Sequence, residues 1–534
     1  MKKLPLGIQD FRKIIEGGYV YVDKTQYVYN LLNDASYYFL SRPRRFGKSL
    51  LLDTIGEVFS GDREFFKGLW IYDSDYDFKK HPVIRIDLSG ISNETPDVLK
   101  KSLVSNLKKR IKAESLDIAD SFPADMLISL IEDLNEKYGE RVVVLIDEYD
   151  KPILDHLNNV ELAEANRMVL RGFYGVLKSM DAHLRFTLLT GVSKFTKTSI
   201  FSELNNLLDL TMVEKYANIC GVPVESLELY FGEHIQELAA NKRFQSYENV
   251  RAGILAWYDG YSWDGETKLI NPFSLLSFFS AQRFSSFWYA SGSPKFLIDL
   301  IKKNPDVYLN LSNLEMSEDM LDSVEIEDAA PEPLMFQTGY LTVKEVLYPE
   351  DAPEYRLQIP NFEVKRAFGT QILASLTGKS NVKAGQARKE IMKALQVGDL
   401  PKIRQSLRGL FASIPYELHV PVEAYYHSIF YTVMNLLGFD VDAEVSVAGG
   451  RADAVLELGD KVYVIEFKYQ NCPRNISPED KEKLFATTLA EGLQQIKEKG
   501  YANKYAGSGK TIHLAAFAFL GRDEIELLAE TQVS

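Results

Sequence analysis

An α/β chain built in several pieces is the fold this sequence predicts, and three observations predict it. Over the first ~200 residues short apolar runs alternate with helical stretches, the pattern of a parallel sheet with flanking helices. From about 212 to 345 the chain reads as mainly helical and rich in aromatic residues. The last ~120 residues change rhythm to a helix, three strands, a helix and a strand. At 534 residues the chain exceeds what one core supports, since cores stop growing at roughly 250–300 residues. The expected pieces are residues 1–210, a middle region 211–345, a connector 346–410 that is helical from about 361, and a last domain 411–534.

The elements follow in order. Tyr37–Ser41 reads as a strand, then a turn and a helix through Ser49 to Leu52. Val83–Leu88, Arg141–Asp147 and Arg185–Thr190 are three further strands. The third of these four is almost uniformly apolar, as a strand buried on both faces should be. Helices near 95–113, 123–137 and 161–180 fill the gaps. In the middle region, Trp257 to Trp263 packs aromatics beside glycines and acids. Such a run serves either as core or as a recognition surface, and core is favoured because buried aromatics dominate core energetics. In the last domain a helix from Val422 to Leu437 stops at Gly438. Strands follow near 440–447, 451–457 and 461–468, then a helix near 482–498 and a strand at Ile512–Phe519.

Composition excludes several classes. Hydrophobic residues make up 46% and charged residues 25%, so a packed core is expected rather than disorder. Cys220 and Cys472 are too far apart to suggest a zinc knuckle or a disulfide framework, and reduced thiols in a cytoplasmic protein are expected. No apolar run approaches the ~20 residues needed to cross a bilayer, so no membrane role is expected. A formal net charge of −14 counts against a general coat for DNA. It leaves room for an enzyme that holds phosphate with a local basic strip or bound metal ions.

Between the first strand and its helix runs Ser41-Arg42-Pro43-Arg44-Arg45-Phe46-Gly47-Lys48-Ser49. A phosphate-binding Walker A loop needs that placement, because backbone N–H groups and a helix N-terminus then face the phosphates. Gly47, Lys48 and Ser49 are the candidates: Lys48 for the β/γ-phosphates of ATP, Ser49 for Mg²⁺. Arg42 stands where the general pattern has its first glycine. Asp147 and Glu148 close a buried strand at the edge where α/β sheets place ligands. This is Walker B logic, with Asp147 holding hydrated Mg²⁺ and Glu148 orienting the attacking water. Ser193 and Lys194, after the next strand, read either as γ-phosphate sensors or as an ordinary turn. Arg44 and Arg45 read either as contacts to phosphate or a neighbouring subunit, or as solvated turn residues.

In the last domain, Asp453 in Gly450-Arg451-Ala452-Asp453 precedes Ile465-Glu466-Phe467-Lys468. Glu466 and Lys468 are two apart on a strand and share a face. A tight turn at Gly459-Asp460 would bring Asp453 beside Glu466. Two hard oxygen ligands suit Mg²⁺ or Mn²⁺, which activates water and stabilises charge developing on a phosphodiester. Lys468 would position the water or neutralise the phosphate. Glu423, opening the preceding helix, would complete the metal shell, and Gln495 on the later helix would point into the same site. The bland reading of such a triplet is an exposed cross-strand ion pair.

Gly18-Tyr19-Val20-Tyr21-Val22-Asp23-Lys24-Thr25, Arg42 to Ser49, Leu145 to Pro152, Thr190 to Phe195 and Ser202 to Leu207 resemble the AAA-ATPase-like family found widely in bacteria. The resemblance covers residues ~4 to 210 and implies a P-loop NTPase that binds ATP. That family's loop also reads R-P-R-R-F-G-K-S, so Arg42 departs from the general consensus and not from the family. Glu423-Ala424-Tyr425-Tyr426-His427, Gly450 to Asp453, Ile465 to Lys468 and Gln495 to Tyr501 resemble the PD-(D/E)xK nuclease superfamily, over ~415 to 520. This implies a restriction-endonuclease-like domain with Asp453, Glu466 and Lys468 as its catalytic core and Glu423 and Gln495 in support. The expected function is an ATPase coupled to metal-dependent cleavage of nucleic acid, DNA ahead of RNA. Weighed beside it are a nucleotide-switched regulator that grips nucleic acid or protein without cutting, and a purely mechanical ATPase. A homo-oligomer is left open.

Overall fold

The computed structural model describes residues 1–194, 206–290, 297, 314–322, 330–349, 352–376, 380–411, 434, 441–447, 450–472, 476–505, 507–520 and 524–533. Its contacts divide into two compact units, one of the described residues up to Glu363 and one of those from Val364 onward.

The first unit opens with α1 (Phe11–Glu16) and α2 (Thr25–Asp34), then β1 (Tyr37–Ser41) and α3 (Lys48–Val58). Next come β2 (Val83–Asp87), α4 (Pro96–Ala113), α5 (Pro123–Tyr138), β3 (Val142–Asp147), α6 (Val160–Ser179), β4 (Leu184–Gly191) and β5 (Leu208–Asp209). The strands form one parallel sheet in the order β2-β3-β4-β1-β5. Val142 to Ile146 are all buried, and Asp147 is the first residue of that strand to reach partial exposure. Helix α4 starts at a Thr95 cap with Pro96 in its first turn, and buries Leu99, Leu103, Leu107 and Ile111 at four-residue spacing. Because β4 lies between β1 and β3, the carboxyl ends of all three stand side by side. That edge is where the first site forms.

Beyond the sheet come α7 (Leu227–Ala239), α8 (Tyr247–Tyr258), α9 (Pro272–Ala281) and α10 (Pro331–Thr338). Phe231, Phe244, Phe278, Phe279 and Tyr258 are among the buried residues of the core joining α7 to α9. Tyr258, Tyr261 and Trp263 are buried, so the aromatic run is core and not a recognition surface. The strands β6 (Val222–Pro223) and β7 (Leu269–Ile270) pair with each other. Three more strands, β8 (Glu315–Ser317), β9 (Thr342–Leu347) and β10 (Glu354–Gln358), form a small sheet in the order β8-β10-β9, which the sequence reading leaves out.

The second unit takes in most of α11 (Phe362–Leu376), then α12 (Asn381–Val397) and α13 (Leu400–Phe411). Its sheet holds β11 (Val441–Val447), β12 (Gly450–Leu458), β13 (Lys461–Gln470), β14 (Thr511–Leu520) and β15 (Glu524–Val533), in that order. Only β13 and β14 run parallel, joined through α14 (Pro478–Glu498), the crossover that a parallel pair requires. The two faces sort by residue parity. Tyr463, Ile465 and Phe467 pack with Ile391, Leu395 and Leu407 of α12 and α13, whereas Val462 and Val464 pack with Leu489, Leu493 and Ile496 of α14. Glu466 and Lys468 therefore belong to the α14 face. The edge strand β15 is absent from the sequence reading, and the helix expected over Val422–Leu437, with Glu423, lies outside the described residues except for Met434. No described helix is long and apolar enough to cross a membrane.

Candidate functional site

The loop from Arg42 to Gly47 turns sharply enough to need left-handed backbone twice, at Arg45 (φ 63°) and Gly47 (φ 103°). A Cβ on Gly47 would meet nothing within 4 Å, so the dihedral angle and not crowding demands glycine there. Gly47 then caps α3, and Lys48 is the first helical residue. The Lys48 ammonium is buried and donates to the carbonyls of Arg42 (2.7 Å) and Pro43 (3.0 Å), closing the loop on itself. Burial pushes its pKa down; Asp147, Glu148 and Asp150 oppose that shift.

Arg42 is the surprise. It is fully buried, its Nη1 donating to Ser41 O (2.9 Å) and Thr211 O (3.0 Å), with its guanidinium 4.0 Å from the Trp263 ring centre. Burial lowers its pKa to about 10. Its neighbours are anchored too: Trp288 Nε1 donates to Arg44 O (2.9 Å), Gly221 N to Phe46 O (3.2 Å), and Phe46 sits edge-on to Tyr261 and Trp263. The residue in the glycine position thus grips chain beyond the sheet. Arg44 and Arg45 are respectively half-buried and exposed, and the Arg45 guanidinium lies 5.2 Å from the Phe273 ring centre.

At the end of β3, Asp147 accepts from Thr190 Oγ1 (2.6 Å) and from Glu148 N (3.0 Å). Burial raises the Glu148 pKa, with Lys48 lowering it in part. Ser49 is half-buried at the start of α3. Ser193 is fully buried and its N–H donates to Asp150 (2.6 Å), while Lys194 pairs with Asp209 and its N–H donates to Gln337 (2.8 Å). Sequence reasoning gave Asp150 no role. It is buried, accepts from both Val192 N (3.0 Å) and Ser193 N, and burial lifts its pKa to about 6. Asp150→Ala strips two buried N–H groups of their acceptor. It should lower stability by about 2–3 kcal/mol in a urea titration, with Asp150→Asn losing clearly less. Equal losses in the two variants would deny Asp150 this latch role.

Beside Gly47 lies an apolar cavity of about 100 Å³, lined by Val20, Val22, Phe46, Leu50, Cys220 and Val222 among others. Lys24 reaches its rim and donates to Asn218 O (2.7 Å); burial lowers its pKa to about 8.

In the second unit the hairpin register pairs Leu458 with Lys461 and Ala454 with Ile465, so one step on Asp453 stands opposite Glu466. Asp453 Oδ2 accepts from Phe467 N at 2.8 Å. Glu466 is 1% exposed, and its Oε1 accepts from Lys468 Nζ (3.0 Å) and from Gln495 Nε2. Asp453, Glu466, Lys468 and Gln495 are therefore brought together, from two strands and α14. The ion pair is half-buried, its carboxylate fully so and braced by Gln495, unlike an exposed cross-strand pair. Two carboxylates are a hard-oxygen set that fits Mg²⁺ or Mn²⁺ retaining several waters. No group of three or more acidic, histidine or cysteine side chains suited to a metal occurs among the described residues.

Gly492 was not singled out from the sequence. A Cβ there would stand 3.1 Å from Ala516 Cβ and 3.4 Å from Lys468 Cγ, so α14 crosses the site at glycine distance. Mid-helix glycine costs about 1 kcal/mol against alanine, which explains why only close approach would retain it. Gly492→Leu should destabilise by about 1–3 kcal/mol in urea, as overpacking does. A wild-type midpoint would show that the helix has room to spare.

Comparison with known proteins finds a family match for each end of the chain. Residues 5–201 match the AAA-ATPase-like family, described as "Predicted AAA-ATPase", and residues 422–526 match the PD-(D/E)XK nuclease superfamily. The chain is also 37% identical, over 97% of its own length and 96% of the relative's, to an uncharacterized protein in the vnfD 5′ region of Azotobacter chroococcum mcd 1.

Proposed function

The chain belongs to the AAA-ATPase-like family and carries a PD-(D/E)XK nuclease superfamily domain at its C-terminal end, and from that premise we propose that it is an ATPase coupled to metal-dependent hydrolysis of nucleic acid, DNA in preference to RNA. The convergence of Asp453, Glu466, Lys468 and Gln495 on one face carries the reading.

At the first site, phosphate oxygens would take the place of the Arg42 and Pro43 carbonyls as acceptors for Lys48, while loop N–H groups and the start of α3 supply the rest. Ser49 and Asp147 would hold Mg²⁺, with Thr190 fixing the Asp147 carboxylate. Glu148 orients the attacking water. Its raised pKa makes turnover fall as pH drops through a value above the ordinary glutamate one. The apolar lining of the cavity beside Gly47 suits contact with the face of a purine base. The Thr190–Asp147 and Ser193–Asp150 hydrogen bonds tie the end of the acid strand to the sensor segment, so ATP contacts at Ser193 would be read at β3.

At the second site, Asp453 and Glu466 would hold the divalent ion, which when bound lowers the pKa of water and stabilises phosphate charge. Lys468 is held by Glu466 where it can steady the nucleophile or the phosphate. Gln495 fixes the Glu466 carboxylate. Glu423 remains proposed as a further ligand. The test is product: full-length protein incubated with Mn²⁺ or Mg²⁺, with and without ATP, on plasmid, single-stranded DNA and RNA. Retained nucleic acid without product after prolonged Mn²⁺ incubation would instead favour the non-cutting regulator.

A further inference from the structure

Charge is divided unevenly along this chain. Against a net −14 overall, the stretch from Val364 to Phe411 carries ten lysines and arginines and two acids. Charges farther off than the Debye length, about 10 Å at 0.1 M salt, are largely screened. A ligand touching this stretch therefore meets its own excess and not the chain's total.

The excess is exposed on α12. Lys383, Lys389 and Lys393 are all exposed, interspersed with exposed Gln386 and Gln396 and with exposed Glu390, whose carboxylate pairs with Lys402 of α13 (3.6 Å), and none of the three lysines makes an ion pair among the described residues. On the helix, Lys389 and Lys393 are one turn apart on the same side, and Lys383 lies about 9 Å before Lys389 along the axis. Helix stability does not account for this placement. Like charges at that spacing cost a few tenths of a kcal/mol, and Lys383 sits in the first turn, which holds no acid, where a cation opposes the helix dipole. Arg388 on the same helix is buried, and burial together with Arg366 lowers its pKa to about 10, so further positive charge backs the exposed row. The apolar side of α12 is spent on the sheet: Ile391, Ala394 and Leu395 join the core with Tyr463 and Ile465, and Tyr463 Oη donates to Leu395 O at 2.6 Å. The polar side thus projects from the same sheet that presents Asp453 and Glu466 on its other face.

We propose that the Lys383–Lys389–Lys393 face of α12 docks the phosphate backbone of nucleic acid. This rests on the nuclease reading only for the identity of the polyanion. Three contacts of this kind carry no sequence information, and each releases counterions, so they show in the salt dependence of binding.

The experiment uses the full chain in EDTA, to block cutting, with a fluorescent 30-base-pair DNA duplex titrated at 50–200 mM salt. The K383Q/K389Q/K393Q variant should bind about 10- to 100-fold more weakly at 100 mM, and its log K against log salt slope should shrink by about 2–3. Lys→Arg at all three positions should restore both. ATP affinity and the circular dichroism spectrum of the Gln variant should match wild type. Unchanged affinity and slope in the Gln variant, while the wild type binds or cuts, would overturn the docking face alone. A wild type that neither binds nor cuts nucleic acid would overturn both this face and the nuclease reading. Poly-glutamate bound as tightly as duplex would reassign the face to an acidic protein and overturn the proposal.

Discussion

Asp453→Ala and Lys468→Ala should each reduce phosphodiester cleavage by about 10²–10³-fold while leaving far-UV circular dichroism and ATP affinity at wild-type levels. The two fail for different reasons. Without Asp453, Glu466 keeps Lys468 and Gln495 but loses the second carboxylate across the hairpin, so higher Mn²⁺ should recover part of the rate. Without Lys468, the buried Glu466 loses its countercharge, and metal concentration should recover nothing. Lys468→Arg changes a compact ammonium for a planar fork and should not restore full activity. Full cleavage in both alanine variants would remove the site.

Lys48→Ala should weaken ATP binding by about 2–3 kcal/mol, or about 30- to 150-fold in Kd, read by titration with a fluorescent ATP analogue. The lysine is buried between two loop carbonyls and three nearby acids, so truncation removes the positive charge where triphosphate would sit. Glu148→Gln separates binding from hydrolysis: affinity should stay within a few fold while turnover falls by about two orders of magnitude. If Lys48→Ala binds ATP as wild type does, phosphate capture by this loop is refuted.

Much of this architecture can be read from residues alone, and for a physical reason. The strands β1 and β3 are buried on both faces, so they appear as apolar runs, nearly unbroken in β3, each ending on a polar residue at the carboxyl edge of the sheet. The Asp453–Glu466 pairing is equally legible, because a tight hairpin fixes its register by simple counting. What escaped is instructive. Strand β15 reads Glu-Ile-Glu-Leu-Leu-Ala-Glu, an edge strand whose glutamates blunt it against further pairing and disguise it as helix or loop. Asp150 resembles an acid that merely starts a helix, since nothing local shows that Val192 and Ser193 will turn their N–H groups toward it. Gly492 looks like an isolated weak point in a helix until Ala516 and Lys468 are seen beneath it.

The burial of Arg42 bears on how the nucleotide module can be handled. Its guanidinium donates to Thr211 O and is covered by Trp263, both downstream of the segment that matches the ATPase family. A fragment cut at residue 210 would leave that cation and the Phe46 ring stripped of their cover, next to Lys48, the lysine proposed for triphosphate. Expressed alone, such a piece would aggregate or bind ATP poorly, and the smallest autonomous ATPase has to run at least as far as Gly339, which packs on Pro43.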